Sequence, residues 1–61
     1  MPTIFAVRAE HVQFGDLIML IGKWWSVRYV ESDDLGVTAF LTDEVGQPWN
    51  TLLPDVVTVL A

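Results

Sequence analysis

The residues able to do chemistry are few and scattered. His11 is the one histidine, and cysteine is absent. A nucleophilic triad needs a Ser or Cys beside a base that a third group orients. Ser26 and Ser32 have no evident base, and no nucleophile elbow surrounds either. His11 therefore reads as a polar loop residue, with a pH-responsive role as the sharper alternative. Acids pair at Asp33-Asp34 and at Asp43-Glu44. A calcium loop presents about six or more oxygen ligands from alternating positions. Neither pair offers that, so both read as turn and solubility residues. Four scattered glycines do not make a phosphate-cradling loop. The expectation is a protein without catalytic residue, cofactor or metal, and a domain too small to hold a cleft of its own.

The aromatic residues carry more information. Trp24 and Trp25 are adjacent, so on a strand they point to opposite faces. If Trp25 faces inward, Trp24 faces outward, and the sequence leaves that choice open. Alternation then groups Trp24 with Met19, Phe40 and Trp49 on an outer face. Tyr29 and Trp24 are the pair available to form slots for a proline-rich peptide. Two readings stand side by side. These side chains are covered by the chain's own ends or by the stems of Lys23 and Arg28. Or they form a partly exposed patch that meets a protein partner or a second copy.

Composition limits what can position such residues. The chain has 61 residues, of which 52% are hydrophobic, and a mean hydropathy of +0.45. That is one small domain, too apolar for disorder. By area scaling it exposes roughly 4,000 Å² folded against roughly 10,000 Å² unfolded. Stability is expected to be marginal, and without cysteine no disulfide supplements it. Eight acids against three bases give a net charge of −5. Arg8, Lys23 and Arg28 are too few to track phosphates, so nucleic acid and anionic membrane are disfavoured and a basic protein partner is favoured. The longest apolar run, Leu17 to Ile21, cannot span a bilayer, and residues 1–3 do not read as a signal peptide. The expected location is the cytoplasm.

Turn residues divide the chain into short β-rich runs, and no segment sustains helical periodicity. The predicted strands are Ile4–Arg8, Leu17–Ile21, Trp24–Glu31, Val37–Thr42, Trp49–Leu53 and Val56–Leu60. Val7, Ile18, Leu20, Val37, Ala39, Leu41, Val57 and Val59 are the predicted core, with Val12 tucked in from a connecting segment. A bulge near Arg28-Tyr29 is expected, because it brings both Val27 and Val30 inward. Pro54-Asp55 is expected to form one 3₁₀ turn. The predicted fold is all-β, a small five-to-six-stranded barrel in a single domain spanning residues 1–61.

Several motifs resemble those of small SH3-like β-barrels. Ala9-Glu10-His11-Val12-Gln13-Phe14-Gly15-Asp16 resembles their entry into the first long strand. Gly22-Lys23-Trp24-Trp25-Ser26-Val27 resembles the hairpin that follows, and Asp43-Glu44-Val45-Gly46 the hairpin before the penultimate strand. Pro54-Asp55 and Val57-Thr58-Val59 resemble the closing turn and strand. The layout is similar to the N-terminal domain of translation elongation factor P, to KOW-type domains, and to small SH3-like proteins of actinobacteria and their phages. The resemblance implies an SH3-like barrel. That elongation factor presents a modified basic residue on a loop, whereas Ser32-Asp33-Asp34-Leu35-Gly36 is acidic and lacks lysine.

The function expected from these readings is a small non-enzymatic protein-interaction module. Met19, Trp24, Tyr29, Phe40 and Trp49 would form the contact, with acidic loops around it. Two alternatives follow from the resemblance and the charge. One is a nucleic-acid- or ribosome-associated domain of the translation-factor or KOW type. The other is a phage-encoded acidic inhibitor or accessory protein.

Overall fold

Six antiparallel strands follow one another with short connections in the computed structural model, which describes residues 3–60. They are β1 (Ile4–Arg8), β2 (Leu17–Leu20), β3 (Lys23–Asp33), β4 (Gly36–Thr42), β5 (Pro48–Leu52) and β6 (Val56–Leu60). All belong to one sheet in the order β1-β6-β2-β3-β4-β5. β6 inserts between β1 and β2 and pairs with both, and the hairpins β2–β3, β3–β4 and β4–β5 build the rest. The all-β class follows the sequence reading, β1 and β6 have the expected bounds, and every other strand boundary falls within two residues of its expected place.

Alternation selects the core as expected. Val27, Ile18 and Leu41 are fully buried, and Val37, Ala39, Val57, Val59 and Trp25 join them in one cluster. Val12 and Ala9 close it from the segment between β1 and β2. Trp25 is the inward tryptophan; its Nε1–H donates to the Leu20 carbonyl at 2.9 Å, so its one polar atom is satisfied inside. The bulge falls where the core requires it. The β3–β4 register shifts between Val27 and Tyr29, leaving Arg28 extra and returning Val30 to the inner face.

Two expectations are corrected. The 3₁₀ turn lies at Ala9–His11, closed by the Val12 N–H donating to the Ala9 carbonyl, and not at Pro54. Around Pro54 the chain bends at Asp55 and is tied on both sides. The Leu53 N–H donates to Val37 O at 2.8 Å, and the Ala9 N–H to Asp55 O at 3.0 Å. The hydrogen bonds of this link go to other segments rather than to a turn of its own. Nor does the sheet close into a barrel. β1 and β5 share no ladder, so both remain edges. The sheet still curls. Arg8 and Ala9 line a cavity of roughly 250 Å³ together with Gly36, Val37 and Leu52, where a closed barrel would have strand pairing. Among the described residues, no helix is long and apolar enough to cross a membrane.

Candidate outer-face interface

Strand pairing sorts the aromatic residues into faces. Residues opposite one another in an antiparallel ladder share a face. Met19 lies opposite Trp24 in the β2–β3 ladder, and both are half-buried on the outer face. Tyr29 lies opposite Phe40, their ring centroids 5.7 Å apart at a tilted 43°. Tyr29 is 56% exposed, so this pair is open to solvent on one side. The row Ser26 and Thr42 separates the two aromatic pairs.

Trp49 is not on that face. It lies opposite Leu41, and Leu41 is buried on the inner side. Its ring centroid sits 4.8 Å from that of Trp25, and it packs against the core. Asn50 takes the outer position beside Phe40. The expected Trp24/Phe40/Trp49 grouping is therefore corrected by one residue of register. The reason lies in the β4–β5 hairpin. Asp43 N–H donates to Gln47 O, and Asp43 Oδ1 accepts from the N–H groups of Val45 and Gln47. With Asp43 facing Gln47, the ladder must place Leu41 opposite Trp49. That signal is present in Asp43-x-x-Gly46 and would have located Trp49.

The sequence reading missed a second part of the outer face. Ile4 lies opposite Leu60, and Leu60 opposite Leu17, so three apolar side chains run side by side across β1, β6 and β2. Leu17 lies opposite Ser26, Ser26 opposite Thr42 and Thr42 opposite Pro48, which completes a row without one charge across all six strands. Alternation alone places Ile4 and Leu17 outward, since Val7 and Ile18 read as inward. The next row, Ala6, Thr58, Met19 and Trp24, is uncharged as well.

Charges surround this face rather than occupying it. Trp24 borders a groove of roughly 230 Å³ that it shares with Gly22, Lys23, Asp43 and Glu44. Phe40 borders an apolar depression of roughly 300 Å³ with Arg28, Thr42, Pro48 and Asn50. Arg28 itself leans over the exposed Phe14 ring at 5.7 Å, and Lys23 over the Trp25 ring at 5.6 Å. Each cation thus lies over an aromatic ring. Arg8 pairs with Glu10 on the surface. Their hydrogen bond, with their mutual attraction, holds the Glu10 carboxyl below and the Arg8 guanidinium above their ordinary ranges. His11 is exposed on the 3₁₀ turn. Among the described residues, no three acids, histidines or cysteines cluster as a metal site would need.

The chain matches no protein-family model, no curated protein and no solved structure.

Proposed function

We propose that this chain is a small non-enzymatic protein-interaction module whose outer sheet face binds a partner protein with a basic rim. The observation that supports this most is the uncharged, apolar centre of that face. A solvated sheet face ordinarily alternates to polar and charged side chains. Here two adjacent rows, from Ile4 to Pro48 and from Ala6 to Trp24, carry none. An apolar, charge-depleted centre with a polar rim is how protein interfaces are built. Met19 and Trp24 form one anchor, Tyr29 and Phe40 the other. Asp43 and Glu44 beside Trp24 supply a place for a Lys or Arg of the partner, where the indole and the carboxylates attract it together.

The test is affinity capture with the wild type and with Trp24→Ala, each checked by circular dichroism for an unchanged fold. A partner of high pI should be retained by the wild type, lost with Trp24→Ala, and weakened by added salt, because its rim contacts are ionic. A partner set indifferent to Trp24→Ala would refute the assignment of this face.

A further inference from the structure

Among the described residues β1 and β5 are the two edges of the sheet, and β1 can pair with a copy of itself. In an antiparallel ladder, residues alternate between pairs that exchange both backbone bonds and pairs that turn those groups outward. The Ala9 N–H donates to Asp55 O, which marks the pair Ala9/Asp55 as bonded. Counting back by two along the β1–β6 register, Val7/Val57 and Phe5/Val59 are bonded pairs as well. Ile4, Ala6 and Arg8 therefore turn their N–H and C=O groups away from β6, toward the open edge. Among the described residues, no turn, loop or side-chain hydrogen bond reaches those groups.

We infer that a second copy of this chain docks on that edge, β1 against β1 in antiparallel fashion about a twofold axis at Ala6. In this register Ile4 faces Arg8 of the second copy, Ala6 faces Ala6, and every outward N–H meets an outward C=O. Side chains agree with the backbone. Phe5 belongs to the core side, opposite Val59, which is 2% exposed, yet Phe5 is 40% exposed because the sheet ends there. The twofold register sets Phe5 beside Val7 of the second copy, which covers it and joins the two cores.

Charge permits this pairing. The protein carries −5, so two copies repel, but β1 contains no acid and one base. In the twofold register the two Arg8 side chains lie four residues apart along the strand. That is roughly 13 Å, beyond the roughly 8–10 Å over which salt leaves charges unscreened. An isologous pairing also closes, giving a dimer of two six-stranded sheets rather than an open fibre. A pair of five-residue strands is a small interface, so a weak, reversible dimer is expected.

The experiment is sedimentation equilibrium of the wild type from about 1 µM to about 500 µM, with two charge variants at the axis. Ala6→Lys and Ala6→Glu each sit on the exposed side of an edge strand and retain the backbone donor, so the monomer fold is preserved. Like charges directly opposed across strands destabilise. Each variant alone should dimerise at least about ten-fold more weakly than the wild type. An equimolar mixture of the two should restore a heterodimer. Amide exchange at Ile4, Ala6 and Arg8 should slow as the wild type is concentrated, while Asn50 and Leu52 on the opposite edge exchange at an unchanged rate. A wild type that stays monomeric throughout overturns the inference. So does a dimer that tolerates Ala6→Lys, or one that Trp24→Ala abolishes, since that would place the contact on the outer face. Loss of partner capture with an intact dimer would count against the outer-face function alone.

Discussion

The two edges of this sheet are made differently, and the difference shows how an edge strand is kept from, or left open to, pairing. β5 is blunted. The Leu53 N–H to Val37 O bond extends the β4–β5 ladder, so Pro48, Asn50 and Leu52 are the residues turned outward. Pro48 has no N–H to offer, and the Leu52 carbonyl accepts a long 3.4 Å bond from the Thr51 hydroxyl. Proline on an outer strand is a common defence against unwanted pairing. β5 is also anchored from within, since Trp49 stacks on Trp25. β1 has neither device. Its middle residues are Phe5, Ala6 and Val7, and of its side chains only Val7 packs against the core. One edge is closed by chemistry; the other is apolar, regular and unprotected.

The largest expected effect separates the core of the sheet from its β1 edge. Leu41 is 2% exposed, opposite Trp49 in the β4–β5 ladder. Leu41→Ala should cost about 2–5 kcal/mol in urea unfolding, by the loss of transfer energy and the cavity left behind. Phe5→Ala, measured in dilute solution where the chain is monomeric, should cost much less. Similar costs for the two would mean that β1 is held as firmly as the buried strand β4, and the picture of β1 as a loosely held edge would fail.

A smaller effect is expected at the turn between β2 and β3, which touches neither edge. Ile21 has φ +51° and Gly22 φ +70°, the signs of a type I′ hairpin. A β-branched residue is strained in that region, whereas Asn tolerates it. Ile21→Asn should raise stability by about 1–2 kcal/mol and leave dimerisation unchanged. A gain in stability accompanied by altered association would show that the edges are coupled through the sheet.

The smallest effect tests the defence itself. Pro48→Ala restores one outward donor to β5. A hydrogen bond contributes about 1 kcal/mol net, or roughly five-fold in an association constant. Light scattering should then detect species larger than a dimer at high concentration, because each chain now has two competent edges. Unchanged scattering would mean that Pro48 is not what keeps β5 unpaired.

Much of this could be read locally. Val37, Ala39 and Leu41 alternate with Thr38, Phe40 and Thr42, and a strand of period two has one way to bury the first set. Val27 and Val30 are three apart, so a strand that buries both must bulge between them. Such facts depend on a few consecutive residues, and the sequence by itself determined them: the all-β class, the strand positions, the inner set and the bulge. Trp49 shows where that reading stops. Its face depends on the register of β5 against β4, set by the Asp43 hairpin and not by alternation within β5. The location of the edges is more distant still. Nothing in Ile4–Arg8 says that β6 will cover one side of it and that, among the described residues, no strand will cover the other. Only the tertiary structure decided that, because an edge is a property of strand order, which arises when residues far apart in the chain pair. It also decided that the sheet stays open, so that the excess of apolar residues in a short chain lies on one outer face and one bare edge.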